Sequence, residues 1–164
     1  MKLPEAEQLL AQLTEQMRPQ VSAQTALLGI HTGGVWLAER LHANLALSIP
    51  IGAIDVAFYR DDYHQRGLHG NARSSQIPFA VDGARVIIVD DVLYTGRTIR
   101  AAMNELFDHG RPSSVQLAVL VDRGGRELPI AADFCARATT LPAAQMLALE
   151  RSEAGTLSFR MVEK

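Results

Sequence analysis

The 164-residue chain has a single cysteine, Cys135, so no intrachain disulfide can form and no paired-cysteine metal knuckle exists. One thiol suits a reducing compartment, and a cytoplasmic location is the expectation. An excess of either charge is also missing, because 16 Lys and Arg stand against 18 Asp and Glu for a net charge of -2. That balance excludes a general nucleic-acid coat or a polybasic membrane binder, and any anionic partner has to be held locally. Long apolar runs are lacking. The start, Met1 to Glu5, has no extended apolar stretch, and runs such as Leu117 to Val121 fall far short of the roughly 18 residues of a membrane span. No targeting or membrane segment is expected. Neither GxxxxGKS, GxxxxGKT nor GxGxxG occurs, which disfavours the P-loop and dinucleotide sites. There is no internal repeat, linker or low-complexity tract. With 48% hydrophobic residues the chain can bury one core, and a single domain over 1–164 is expected.

Periodicity supplies the elements. Ala6, Leu9, Leu10, Leu13 and Met17 repeat at helical spacing between Pro4 and Arg18, and Pro19 stops the run. Thr25 to Ile30 reads as a buried strand, Thr32-Gly33-Gly34 as a tight loop, and Val35 to Leu45 as a helix. Ile54, Val56 and Phe58 alternate as a strand with two faces would. Arg60 to Pro78 is polar and glycine-bearing, and predicts a long exposed arm or β-hairpin. Val86 to Val89 is a β-branched strand, Thr98 to His109 a helix stopped by Gly110 and Pro112, and Val115 to Val121 another strand. Apolar strands alternating with helices imply a parallel sheet covered on both faces, an α/β fold. Two or three short strand-like pieces follow, at Phe134 to Ala138, Gln145 to Leu149 and Thr156 to Val162.

The chemistry concentrates between Val86 and Thr98. Ligands of an open parallel sheet bind beyond the carboxyl ends of its strands, which is where Asp90, Asp91 and the next turn fall. The turn Tyr94-Thr95-Gly96-Arg97-Thr98 opens a helix, so its backbone N–H groups and hydroxyls can wrap one phosphate while Gly96 lets the main chain approach. Two carboxylates beside that nest would repel a phosphate but suit a ribose diol and the outer shell of Mg²⁺. Acid pair plus nest reads as ribose 5-phosphate. Singly, a strand-end acid is a cap and Thr-Gly is a turn; only the combination points to a ligand. A receiver domain also uses paired acids, but after its first strand.

This thirteen-residue run resembles the phosphoribosyl pyrophosphate (PRPP) motif of type I phosphoribosyltransferases. GIHTGGVWLAERL, the YRDD after a strand, VDDVLYTGRTIRAAM and GRPSSVQLAVLVDRGGRELPI are similar, from about Gly29 to Phe134, to the pyrimidine-operon attenuation regulators of that family, which also carry uracil phosphoribosyltransferase activity. The resemblance implies a mostly parallel twisted sheet flanked by helices, with a flexible flap at about 60–78 and a small hood. It implies that Asp90 and Asp91 bind the ribose hydroxyls of PRPP and that Tyr94 to Thr98 hold the 5′-phosphate of PRPP or UMP. Thr32, Gly33 and Gly34 would face the departing diphosphate, with Mg²⁺ brought by PRPP and no all-protein metal site. Arg60, Asp61 and Asp62 would begin the flap, and Val121, Asp122 and Arg123 would lie near the base. The purine-salvage relatives carry an acid at the place of Tyr94, so an aromatic there implies a pyrimidine, uracil.

The implied function is conversion of uracil and PRPP to UMP and diphosphate, together with UMP-dependent attenuation of pyrimidine (pyr) gene expression through the mRNA leader. A homodimer or higher homo-oligomer is expected. The pattern departs where the family's loop carries a basic residue and this chain has Gly33, which predicts a weaker grip on diphosphate and low turnover. RNA-binding members carry histidine and arginine where this chain has Gly125 and Ala131, leaving Arg123 and Arg126 as RNA candidates. A nucleotide-sensing regulator acting through a protein or DNA therefore stays open as an alternative. His31 reads equally as a cap or a ligand contact. Trp36 reads as a packing residue, His64 and His69 as solvated loop residues, and Cys135 as a small buried one.

Overall fold

The computed structural model describes residues 2–56 and 75–164. Phe58 and all but the last four residues of the expected arm, including Arg60, Asp61, Asp62, His64 and His69, lie outside them. Among the described residues the elements are, in order, α1 Ala6–Met17, β1 Ala26–Ile30, α2 Gly33–Asn44, β2 Gly52–Ile54, β3 Arg85–Leu93, α3 Arg97–Asp108, β4 Ser114–Asp122, β5 Phe134–Ala138, β6 Gln145–Arg151 and β7 Leu157–Glu163. Strands β1 to β5 form one parallel sheet in the order β2-β1-β3-β4-β5, and β6 and β7 form a separate antiparallel hairpin.

The two-period of the strands divides the core. Leu27, Ile87, Val89 and Leu120 turn to the face covered by α1 and α2, while Leu28, Ile88, Leu117 and Val119 turn to the face covered by Ile99, Ala102 and Leu106 of α3. With both faces sealed, ligand access is left at the strand ends. Helix α2 seats directly on β3, since a Cβ at Gly34 would fall 2.3 Å from the Val89 carbonyl oxygen. Only glycine admits that approach. Cys135 is half-buried at the edge of the α3-side core, and burial pushes its thiol up.

Three boundaries differ from the sequence reading. The strand expected at Ile54, Val56 and Phe58 is instead Gly52–Ile54, because pairing with Leu28 to Ile30 fixes it, and Gln76 adds an isolated antiparallel bridge to Ala53. Strand β3 runs beyond the β-branched residues to Leu93, because β4 continues to pair with it: Asp90 opposite Val119, Val92 opposite Val121 and Leu93 opposite Asp122. Helix α2 starts at Gly33, two residues before its apolar period, so the expected loop is its first turn.

The hairpin is fixed through its apolar face, where Leu147, Leu149, Leu157 and Phe159 join the α1-side core. Glu7 of α1 adds a polar clasp. Its carboxylate accepts from both terminal nitrogens of Arg40 on α2, at 3.1 and 2.8 Å, and from the Leu157 N–H at 2.8 Å. The Arg40 hydrogen bond dominates and holds the Glu7 carboxyl below its usual range. A lowered carboxyl stabilises the fold above its unfolded-state value, and that contribution is lost as pH falls through the folded value. Glu7→Gln keeps an acceptor for Leu157 but loses the charge. For so exposed a pair it should cost about 0.5–1 kcal/mol at pH 7 and close to nothing below the carboxylate range, as measured by urea unfolding across pH. A deficit that persisted in acid would contradict the clasp.

Candidate active site

A cavity of about 350 Å³ opens where β3 and β4 end. Its floor is the Asp90–Asp91 pair. Asp90 is buried, and its carboxylate accepts the Asp91 N–H at 3.0 Å; the Asp91 carboxylate accepts the Val92 N–H at 2.9 Å. On one side Thr32 and Gly33 begin α2, and on the other Tyr94, Thr95, Gly96 and Thr98 lead into α3. Neither helix has a side-chain cap at its N-cap residue, Thr32 or Gly96. Two positive helix ends therefore flank one pair of carboxylates. Such a cavity suits a molecule with an anionic group at each end and hydroxyls between.

The α3 turn depends on one glycine. Gly96 has φ 95°, and a Cβ there would meet Ile130 at 3.0 Å. The segment after β4 is stitched onto this turn. Arg123 N–H donates to the Leu93 carbonyl at 3.0 Å, and the Glu127 and Leu128 N–H groups both donate to the Thr95 carbonyl, at 3.0 and 3.1 Å. Arg126 donates to the Tyr94 carbonyl and pairs with Asp122 at 2.6 Å. Burial pushes the Asp122 carboxyl up, but Arg126 and the Gly124 N–H outweigh it and hold the group below its ordinary value. Arg97 points away from the cavity to Glu127, at 2.8 Å.

Arg123 is 3% exposed and lies 3.9 Å over the Tyr94 ring. Its terminal nitrogens donate to the carbonyls of Gln145 and Pro142, at 2.7 and 3.1 Å. Its Nε is buried with no hydrogen-bond partner among the described residues. A desolvated cation is costly to the fold, and the Tyr94 ring and the two backbone carbonyls offset part of that cost.

The residues singled out from sequence divide accordingly. Thr32, Gly33, Asp90, Asp91, Tyr94, Thr95, Gly96, Thr98 and Arg123 share the cavity. Gly34 is behind it against β3, Val121 is buried in the core, and Arg97, Asp122 and Arg126 are engaged in the ion pairs above. Sequence reading missed a whole wall. Met146 to Glu150, Arg160 and Lys164 line the cavity from the hairpin, and Trp36, read as a packing residue, both packs on the core and faces the cavity. Among the described residues no group of three or more His, Cys, Asp or Glu side chains is placed to hold a metal.

The phosphoribosyl transferase domain family matches residues 2–140. The chain is 55% identical over 123 residues to the bifunctional protein PyrR of Nitrosococcus oceani, covering 74% of this chain and 70% of that one. The chain belongs to the phosphoribosyltransferase family and, within it, to the PyrR proteins. The bifunctional protein PyrR of Pseudomonas aeruginosa is 47% identical over 145 residues, covering 86% of this chain and 85% of that one. In structure, a hypoxanthine-guanine phosphoribosyltransferase of Bacillus anthracis superposes with a TM-score of 0.66 at 18% identity, covering 84% and 83% of the two chains. The expected type I phosphoribosyltransferase fold is thus the fold found. The domain match stops at 140, before the hairpin, so the roof over this PyrR cavity is built from residues outside the matched span.

Gly96→Ala should cost about 1–3 kcal/mol, because alanine is strained at that φ and Ile130 blocks its methyl. Gly83→Ala, at φ 74° with nothing within 4 Å, carries the backbone strain alone. Urea unfolding of both should show the larger loss at Gly96, and equal losses would contradict the packing described.

Proposed function

We propose that this chain converts uracil and PRPP to UMP and diphosphate, and that it regulates pyr gene expression by UMP-dependent attenuation through the mRNA leader. One observation carries the catalytic half: two helix N-termini face a single cavity with an acid pair between them. PRPP has a phosphate at one end, a diphosphate at the other and a diol between, which is the same order of charge and hydroxyls.

On this reading the turn Tyr94–Thr98 holds the 5′-phosphate, with its backbone and hydroxyls rather than the side chain of Arg97. Asp90 and Asp91 accept from the ribose hydroxyls, and Thr32 and Gly33 present the α2 N-terminus to the diphosphate. Their hard oxygen donors also suit the outer shell of Mg²⁺ entering with PRPP, which when bound offsets diphosphate charge. Uracil lies beside Tyr94, at the end of the cavity where Arg123 stacks on that ring. As the bond from the anomeric carbon to diphosphate breaks, positive charge grows on the ribose and is stabilised by the carboxylates. The uracil nitrogen attacks the opposite face and gives up its N–H proton, which passes to solvent or leaves with the diphosphate. No protein nucleophile is required, and acceleration comes from positioning and fixed charge.

For regulation, Arg123 and Arg126 remain the RNA candidates, and a homo-oligomer would concentrate their charge. Their intramolecular partners favour a second reading, in which the nucleotide-loaded chain acts through a protein or DNA. A gel shift with the pyr leader, with and without UMP, separates the two. A UMP-dependent shift supports RNA, and no shift at any UMP concentration favours the other partner. Among the described residues no helix is long and apolar enough to cross a membrane, and the reading places the chain in the cytoplasm.

Asp90→Asn with Asp91→Asn should lower the rate of UMP formation by about 100-fold or more while leaving the fold intact. Uracil-dependent diphosphate release reads this directly, and an unchanged rate would refute the assignment.

A further inference from the structure

We propose that Arg160, on β7 of the C-terminal hairpin, grips the diphosphate of the substrate with the two terminal nitrogens of its guanidinium. This rests on the nucleotide reading above and adds a residue beyond the span 2–140 that the domain family matches. The cavity wall holds three carboxylates, Asp90, Asp91 and Glu150, and three cations, Arg123, Arg160 and Lys164. Two of the cations are committed near the base end. Arg123 has both terminal nitrogens on backbone carbonyls and stacks on Tyr94, and the Lys164 ammonium lies 5.1 Å from the centroid of the same ring.

Arg160 differs in both its bonds and its place. Only its Nε is used, donating to Glu150 at 2.5 Å, and its terminal nitrogens have no hydrogen-bond partner among the described residues. The planar fork is therefore held from behind by a carboxylate and presents its two outer donors for a bidentate contact. Its position follows from the hairpin register. Arg160 pairs with Ala148 and reaches diagonally to Glu150, beside Arg151. Arg151 in turn lies 4.9 Å over the Trp36 ring and pairs with Glu39 at 3.2 Å, both on α2. The Glu150 end of β6 is thus fixed over the start of α2, the end of the cavity assigned to diphosphate.

The α2 turn supplies backbone N–H groups but no cationic side chain, and it has no room for one without movement. A Cβ at Gly33 would fall 2.8 Å from Asp91 Oδ2, so any side chain there displaces a carboxylate assigned to ribose. The hairpin can deliver a guanidinium to the same end of the cavity from above. Glu150 acts as its positioning residue. Because the Arg160 side chain is 60% exposed, its fork is open to solvent before substrate arrives.

The test is isothermal titration of the full chain with magnesium diphosphate and, separately, with UMP, which has no diphosphate. Arg160→Ala should weaken diphosphate about tenfold and change UMP by less than about twofold, with Arg160→Lys recovering part of the loss by restoring charge without the fork. Unchanged diphosphate affinity in R160A overturns the proposal, as does an equal loss for UMP. Wild-type protein that binds UMP but no diphosphate overturns this proposal alone, and protein that binds neither overturns the nucleotide reading with it.

Discussion

The structure depends on a geometric constraint: a parallel sheet buried on both faces leaves its polar backbone ends as the only place where chemistry can be exposed. Strand β3 is central and sealed by α2 on one side and α3 on the other, so Asp90 and Asp91 near its carboxyl end lie between two helix N-termini. Each helix end contributes main-chain N–H groups and a partial positive charge, and the acids supply the opposite sign between them. Gly34 and Gly96 permit this convergence, one by letting α2 touch β3 and the other by turning the chain into α3. Remove the convergence and the same residues are an ordinary strand end and two ordinary caps.

Around that arrangement the chain adds two tethers. The segment after β4 is tied to the α3 turn through Leu93, Tyr94 and Thr95, so Arg123 and Arg126, named as RNA candidates, are tethered to one wall of the cavity. The hairpin is tied to α1 and α2 by its apolar face and by Glu7, which places its polar face above the cavity. Binding in the cavity and the orientation of these surface segments therefore share contacts. This gives a physical route by which a nucleotide could influence what the surface binds.

Much of this arrangement is legible in the sequence because local chemistry dictates it. The β-branched run before Asp90, the apolar period of α3 and the glycine at its start follow from residue preference alone, and β5 is bounded by its own apolar start at Phe134. The resemblance to the family extended this to the loop at Thr32. What was not legible depends on contacts distant in sequence. Glu150, Arg160 and Lys164 read as charges on a two-period strand and its end, and only the packing of Leu147, Leu149 and Phe159 decides which way they face. Likewise Arg97 lies in the motif by sequence but is drawn outward by Glu127, thirty residues on, while Arg123 is drawn inward by the stack on Tyr94. Strand Gly52–Ile54 shows the same limit, since its bounds come from its partner β1 rather than from its own alternation.

The central claim is that one cavity holds the phosphate at the α3 turn and the sugar at the acid pair. A crystal structure of the chain with UMP tests it most directly. The account predicts phosphate oxygens accepting from the backbone N–H groups of residues 95–98, both ribose hydroxyls donating to Asp90 and Asp91, and the base lying beside Tyr94. UMP bound elsewhere, or bound with its phosphate away from the α3 turn, would contradict it.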